Sequence, residues 1–313
     1  MPLYDIAHDT IYRYDSAVML SQQLAHLRPR DCAGQHCLAH TLTIEPGEER
    51  RRERIDFFGN PVTAFSLQAP HDTLAVHARS RVRVRPSTWP EPADSAPWEL
   101  AREHLRKGLS GHAPLQDDAR DAGQYRFASP FIPLGDPSAR LGDYALRSFR
   151  PGRPMVAALL DLASRIHADF RFDPAATSVA TPVAEVFERR CGVCQDFSHL
   201  MIACLRAIGL AARYVSGYLL TEPPPGQPRL IGADASHAWV AAWCPGVGWV
   251  DVDPTNDMRP DGAHVTLAWG RDYGDVCPLR GVILGGGGHR VEVAVTVTPV
   301  GSGALPQHAA RER

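Results

Sequence analysis

The stretch that decides the fold reads Arg190-Cys-Gly-Val-Cys-Gln-Asp-Phe-Ser-His-Leu-Met-Ile-Ala-Cys-Leu-Arg206. Apolar residues recur in it at spacings of three and four from Phe197 to Ile208, and Gly209 follows them. This spacing predicts a buried helix that ends where a glycine is favoured just after the last turn. The residues before Cys194 predict a tight loop, so Cys194 should lie in the first turn of that helix.

Cys194 would then occupy a position where a thiol can act as a nucleophile. The first N–H groups of a helix lack intrahelical acceptors and form the positive end of the helix dipole. Such surroundings favour a thiolate over a thiol. An isolated cysteine beside an apolar helix is more often a small core residue, so a catalytic role for Cys194 depends on partners elsewhere in the chain.

Two such partners follow downstream. The segment Ser236-His-Ala-Trp-Val240 predicts a strand with His237 at its start, and Trp249-Val-Asp-Val-Asp-Pro-Thr255 predicts a second strand that ends at Asp253. An imidazole at a strand edge suits a general base, and a carboxylate beside it can orient the ring. Cys194, His237 and Asp253 are therefore the candidate catalytic residues, in a Cys-His-Asp relay.

The surrounding sequence predicts an α+β protein. Residues 3–86 alternate in hydropathy without helical periodicity, which predicts an antiparallel β-sandwich. From 154 onwards a helical pattern precedes strand patterns at 212–220, 238–243 and 248–252, with a surface loop at 222–228. Near the end, two apolar segments flank Gly285-Gly-Gly-Gly288, which predicts a hairpin.

These patterns predict four parts of the chain. Residues 1–86 form the N-terminal sandwich, and 87–150 form a proline-rich connector with one helical stretch at 98–109. Residues 151–300 form the catalytic domain and include the C-terminal hairpin. Residues 301–313 form a frayed tail.

Composition excludes several classes of function. Hydrophobic residues make up 44% and charged residues 22%, as in soluble globular proteins. A net charge of -2, without basic clusters, argues against a nucleic acid partner. The amino terminus alternates apolar and polar residues, so neither a signal peptide nor a membrane segment is expected, and the predicted location is the cytoplasm. Seven scattered cysteines predict reduced thiols rather than a disulfide framework.

Taken together, four blocks resemble the transglutaminase-like superfamily, which also includes peptide N-glycanases and bacterial proteins assigned as cysteine proteases. The blocks are 190–206, 209–218, 236–239 and 249–256. The resemblance implies a papain-like core of helices packed on an antiparallel sheet. It assigns the catalytic residues to Cys194, His237 and Asp253 rather than Asp251. Residues 8–14 and 27–30 also resemble the β-domain that precedes the catalytic domain in bacterial members.

The resemblance implies acyl transfer on peptide or glutamine-type amides through a thioester. Hydrolysis is favoured over transamidation, because water is always present whereas an amine acceptor needs its own pocket. The expected partner is a peptide or protein substrate, and no cofactor or metal is expected. The sequence leaves the oligomeric state open.

Two alternatives remain at this stage. One is a catalytically silent module that keeps the fold for binding. The other treats Cys191 and Cys194 as a C-x-x-C pair in a redox or zinc protein. The latter is disfavoured because no second cysteine pair lies nearby, and Cys191 is interpreted as packing behind the nucleophile.

Overall fold

The computed structural model describes residues 1–85, 91–109, 117–135, 137–221 and 235–301. Within these ranges the strands are β1 (Leu3–Ala25), β2 (Gln35–Glu45), β3 (Arg50–Ile55), β4 (Pro61–Leu67), β5 (His71–Val84), β6 (Arg171–Phe172), β7 (Cys191–Gly192), β8 (Ala212–Leu219), β9 (Ala235–Cys244), β10 (Gly248–Val252), β11 (His264–Gly270), β12 (Leu279–Gly285) and β13 (His289–Pro299). The helices are α1 (Trp98–Leu109), α2 (Asp117–Gly123), α3 (Pro137–Leu146), α4 (Met155–Asp169), α5 (Val183–Arg189), α6 (Cys194–Ala207) and α7 (Tyr273–Val276). The predicted loop at 222–228 and residues 302–313 of the predicted tail lie outside the described residues.

The N-terminal region forms one antiparallel sheet around β1, a strand of 23 residues. The first half of β1 pairs with β5 and the second half with β4, while β2 and β3 lie outside these neighbours. Apolar side chains from both halves of the sheet meet in one core, which includes Leu42, Phe65, Leu67, Leu74 and Val76. The predicted α+β class with an N-terminal antiparallel β-domain is confirmed, and the two layers of that domain are halves of a single sheet.

The C-terminal strands correct the predicted hairpin. β12 pairs with the second half of β1 and β13 with the first half, so both belong to the N-terminal sheet rather than to the catalytic domain. Gly285 and Gly286 adopt φ values of 95° and 89°, and a Cβ on Gly285 would lie 2.6 Å from the Ala17 carbonyl oxygen. The glycines therefore bulge against β1 without reversing the chain, because the open edge of β1 offers a longer ladder than a local turn.

The second sheet has the order β10-β9-β8-β11, with all neighbours antiparallel. Helix α6 packs on β8 and β9, and its apolar side chains are buried with Ala238, Val240 and Ala242 of β9. Gly209 follows α6 and has a φ of 84°, as expected for the glycine that was predicted to end this helix. The predicted helix α4 and strands β8 to β10 are present within three residues of the expected bounds.

The described residues of the predicted connector, 87–150, contribute to a hydrophobic core. Their described side chains enter the same core as α6: Trp98, Ala101, Leu105, Ala122, Tyr125, Ile132, Leu141, Tyr144, Ala145 and Phe149. The prolines in this segment suggested irregular chain, but they separate short helices whose apolar faces are buried. Residues of β1, β5 and β13 enter this core as well, so the division of the chain at 87 and 150 stays a prediction. One predicted element, the helix at 98–109, is found as α1.

The two sheets are joined through side-chain amides and a shared core. Gln35 donates to the Thr266 carbonyl (2.7 Å) and accepts from the Thr266 N–H (2.8 Å). Asn60 forms the same pair of hydrogen bonds with the backbone of Trp269: it donates to the carbonyl (2.9 Å) and accepts from the N–H (3.0 Å). These amides occupy the open edge of β11 as a neighbouring strand would. The N-terminal region thereby fixes the position of β11 beside the candidate active site.

Candidate active site

Cys194 is the first residue of α6, as predicted, and its side chain is half-buried. The loop before it is fixed by β7, which pairs in parallel with β6. Arg190 adopts a left-handed φ of 55° just before β7, and its guanidinium carbon lies 4.4 Å from the Phe187 ring centroid. The entry to α6 is therefore held on both sides, which fixes the direction of the thiol.

The first turn of α6 is stabilised by Asp196, which the sequence motif does not assign. Its carboxylate accepts from the Val193 N–H (2.8 Å) and from the Thr177 hydroxyl (2.6 Å). A carboxylate near a helix N-terminus is favoured by the unpaired N–H groups and the dipole. Gly192 is required here, because a Cβ at that position would lie 2.7 Å from Oδ2 of Asp196.

Gly192→Ala should therefore weaken both folding and Cys194 reactivity. The added methyl displaces the Asp196 carboxylate, and we expect the free energy of unfolding to fall by about 1–3 kcal/mol, as for overpacked sites. Chemical denaturation and the rate of Cys194 alkylation by iodoacetamide measure the two effects. Gly47→Ala is the matched control, because a Cβ on Gly47 meets nothing within 4 Å; equal behaviour of the two variants would contradict this account.

His237 lies at the start of β9 and bonds Asp253. Its Nε2 lies 2.7 Å from Oδ2 of Asp253, which leaves Nδ1 as the nitrogen free to face the thiol. Burial lowers the pKa of His237, but hydrogen bonds to Asp253 and to the Cys194 thiol outweigh this and raise the pKa to about 10. The ring therefore carries its proton at neutral pH, next to Cys194 and Asp253.

Asp253 is fully buried, and its carboxylate accepts several hydrogen bonds. One oxygen accepts from the backbone N–H groups of Thr255 (2.9 Å) and Asn256 (3.2 Å), and the other accepts from the Asn256 side-chain amide (2.8 Å). Burial raises the pKa of Asp253, yet the hydrogen bonds from His237 and His264 hold the pKa well below its usual range. Asp253 is therefore an ionised carboxylate, and the structure brings all three predicted residues together.

His264 is a further member of the site that the sequence reasoning missed. It opens β11, is buried, and places Nε2 at 3.3 Å from Oδ2 of Asp253. Trp239 packs edge-on against its ring at 5.2 Å and lies 6.1 Å from the ring of His237. The sequence around His264 carries no signal for this role, because its partner Asp253 lies elsewhere in the chain, directly after β10.

The charge on His264 predicts a pH-dependent stability. Burial lowers the pKa of His264, but bonding to Asp253 and Asp261 raises it above 6.5. A raised pKa gives stability that is present below pH 6.5 and is lost as the pH rises through the folded value. The stability difference between wild type and His264→Gln should therefore shrink from pH 6.5 to 9, by up to about 1.4 kcal/mol per pH unit.

His199→Gln is the matched control for this measurement. His199 is buried on α6 and accepts the Tyr273 N–H (3.1 Å), and burial lowers its pKa to about 3. Its neutral form is stable throughout pH 6.5 to 9, so the wild-type advantage over His199→Gln should stay constant in that range. Urea denaturation at several pH values makes the comparison, and a constant difference for His264→Gln would contradict a charged His264.

Asp251 and Cys191, the other residues considered from the sequence, lie outside the candidate triad. Asp251 points towards the outer face of the four-stranded sheet with Arg213, consistent with the choice of Asp253. Cys191 is buried in β7 and, like Cys194, is a free thiol. Among the described residues no group of three metal-ligand side chains includes a cysteine, so the C-x-x-C pair gains no zinc partners from the described part of the fold.

One set of possible metal ligands coincides with the candidate triad. Ligand atoms of His237, Asp253 and His264 lie within 4.8 Å of one another. The 2.7 Å contact between His237 and Asp253 is a direct hydrogen bond, however, and an ion between two ligands at about 2.1 Å each would hold them further apart. The geometry therefore fits a proton-bridged pair better than a metal centre.

Comparison with known proteins shows to which family the chain belongs. Residues 4–83 match the bacterial transglutaminase-like N-terminal region, and residues 144–254 match the transglutaminase-like superfamily. The chain belongs to the transglutaminase-like superfamily. An uncharacterized protein from Mycobacterium tuberculosis (strain ATCC 25618 / H37Rv) is 42% identical over 310 residues, which cover 96% of this chain and 94% of that protein.

Two further relatives bear on the fold and the chemistry. A protein-glutamine gamma-glutamyltransferase of Pseudomonas aeruginosa is 34% identical over 151 residues, covering 46% of this chain and 23% of that protein. A solved structure described as a "Putative Cysteine Protease" from Cytophaga hutchinsonii superposes with a TM-score of 0.74 at 19% identity, covering 97% of this chain and 93% of the other. This likeness confirms the transglutaminase-like fold over nearly the whole chain.

No helix in the described part of the chain has both the length and the apolar character needed to cross a membrane.

Proposed function

We propose that this transglutaminase-like protein is a cysteine-dependent enzyme that transfers or hydrolyses the acyl group of peptide or glutamine-type amides. The observation that carries the proposal is the position of the Cys194 sulfur, at the start of a buried helix and beside the protonated ring of His237. Bonding of that imidazole to a buried carboxylate supports the assignment of Cys194, His237 and Asp253 as nucleophile, acid–base and orienting group.

In the first step the Cys194 sulfur, whose proton is held by His237, attacks the amide carbonyl carbon as a thiolate. The C–S bond forms as the carbonyl oxygen takes up negative charge, which the N–H of Cys194 at the positive end of α6 can stabilise. His237 gives its proton to the leaving nitrogen, the C–N bond breaks, and an acyl-thioester remains on Cys194. Asp253 keeps the ring oriented and stabilises its positive charge in the resting state.

In the second step water or a primary amine attacks the thioester. Neutral His237 now accepts a proton from the incoming nucleophile, the C–S bond breaks, and the enzyme returns to its starting state. We favour water, because hydrolysis requires no acceptor pocket. The match to a protein-glutamine gamma-glutamyltransferase favours transamidation as the second candidate, over the half of the chain that it covers.

A mass-spectrometric screen tests the proposal. The protein is incubated with a mixed peptide pool and a primary amine, and the products are examined for deamidation, amine incorporation and chain cleavage. We expect deamidation or cleavage in the wild type and no change with Cys194→Ser. Amine incorporation alone would mean that the enzyme is a transamidase and not a hydrolase. Identical products from the wild type and from Cys194→Ser would overturn the enzymatic role.

The setting of this reaction stays a prediction. The sequence favours a cytoplasmic protein acting on peptides or proteins, without cofactor. Fractionation of cells that produce the protein, with immunodetection, tests the location.

A further inference from the structure

A cleft separate from Cys194 and His237 lies between the N-terminal sheet and the four-stranded sheet. Its volume is about 880 Å³, within the usual size of small-molecule sites. The N-terminal side contributes Gln35 and Phe58, and the outer face of the four-stranded sheet contributes Arg213, Trp249 and Trp269. Helix α6 packs on the opposite face of that sheet, and the cleft adjoins the candidate active site through Trp239 and His264, which line it.

The floor of the cleft holds a guanidinium between two indole rings. The guanidinium carbon of Arg213 lies 3.7 Å from the ring centroid of Trp269 and 4.2 Å from that of Trp249. Stacking on both faces leaves only the edge of the guanidinium, which carries its N–H donors, available for hydrogen bonds. Burial lowers the pKa of Arg213 to about 10, so the group stays charged at neutral pH.

The Nε of Arg213 has no acceptor in the described part of the chain. The residue is 8% exposed and this Nε is buried without a hydrogen-bond partner, although the Asp251 carboxylate attracts the guanidinium charge. Arg206, which is 3% exposed, shows how this fold normally satisfies a buried arginine. It donates to the carbonyls of Tyr125, Ala212 and Arg271 and to the Ser129 hydroxyl.

A buried charge with unmet donors is costly unless a ligand supplies the acceptor. A planar guanidinium presented by its edge matches the two oxygens of a carboxylate. Asp121, Asp251 and Asp261 also line the cleft and outnumber its arginines, Arg85 and Arg213. This balance opposes a phosphate dianion more strongly than it opposes a single negative charge. The remaining walls carry Phe57, Phe58, Tyr125 and Trp239, and these aromatic side chains suit a flat, apolar body.

We propose that this cleft binds a small organic monocarboxylate with a flat apolar body, whose carboxylate pairs with the edge of the Arg213 guanidinium that Trp249 and Trp269 hold in place. The proposal does not depend on turnover at Cys194. The ligand would also lie beside His264, which lines the cleft and bonds Asp253.

Calorimetric titration of the full chain tests the site, with Cys194 first alkylated by iodoacetamide to block the candidate active site. The probes are 3-phenylpropionate, its neutral analogue 3-phenylpropionamide and inorganic phosphate. We expect the carboxylate to bind at least about tenfold more tightly than the amide or phosphate, because only it pairs in plane with the guanidinium. This comparison uses the wild-type sequence and does not rely on any variant folding.

Variants then assign the effect to Arg213. Arg213→Gln should weaken carboxylate binding about tenfold or more, and Arg213→Lys should restore little of it, because an ammonium lacks the planar fork. Arg171→Gln is the matched control, since Arg171 is exposed and does not line the cleft, and carboxylate binding by this variant should stay within about twofold of wild type. Equal binding of carboxylate and amide, no binding of either, tighter binding of phosphate, or unchanged binding in folded Arg213→Gln would overturn the proposal.

Discussion

Cys194→Ala should lower amide turnover by roughly 10⁴-fold or more, because it removes the atom that forms the acyl-thioester. The side chain is half-buried at the first turn of α6, and the turn itself is fixed by Asp196 rather than by the thiol. The substitution should therefore leave the fold intact while activity disappears. Release of ammonia or cleaved peptide from the substrate found in the screen, measured beside a thermal melt, separates the two effects.

Cys191→Ser is the matched control for this experiment. Cys191 lies three residues earlier in the same loop, but it is buried in β7 and is paired with β6 through its backbone. We expect this variant to keep most of its activity. An inactive Cys191→Ser together with an active Cys194→Ser would mean that the nucleophile has been assigned to the wrong cysteine.

His237→Ala should cost nearly as much activity as loss of the thiol. The ring donates the proton to the leaving nitrogen and later accepts one from water, so both chemical steps lose their acid–base group. Asp253→Ala should leave a larger remnant, because Asp253 orients the ring and does not itself transfer protons. Steady-state rates on the same substrate, with the exposed His36→Ala as control, give the order of the three effects.

The pH dependence of the Asp253 variant adds an independent readout. With its carboxylate removed, His237 loses a hydrogen bond that raises its pKa, so the pKa should fall. The alkaline limb of the activity profile, where the ring loses the proton it donates, should then move to a lower pH than in the wild type. An unchanged profile with a uniformly lower rate would indicate that Asp253 contributes only to folding.

Local sequence pattern predicted the helix that begins at Cys194, the strand that carries His237 and the strand that precedes Asp253, because each buries one periodic apolar face. The spacing from Phe197 to Ile208 and the following Gly209 define α6, and the alternation after His237 defines β9. The catalytic assignment of Cys194, His237 and Asp253 remains a prediction, though the structure brings the three side chains together. The sequence pattern thus predicted the geometry of the site better than its surroundings.

The features that were missed depend on contacts between distant parts of the chain. The strands β12 and β13 look like a hairpin locally, yet they pair with β1, more than 250 residues earlier. His264 acquires its place from Asp253, and Arg213 from Trp249 and Trp269 on other strands. Periodicity reports which face of an element is buried, but it carries no information about which distant residue meets that face.

Trapping the acyl-enzyme tests the central claim most directly. The wild-type protein is mixed with the substrate, quenched in acid within the first turnovers, digested after Arg190 and Arg206, and sequenced by tandem mass spectrometry. The account predicts an acyl adduct on Cys194 that hydroxylamine releases and that is absent from Cys191 and Cys204, which lie in the same peptide. Turnover of the substrate with no adduct on Cys194, or with an adduct on either of the other two cysteines, would contradict it.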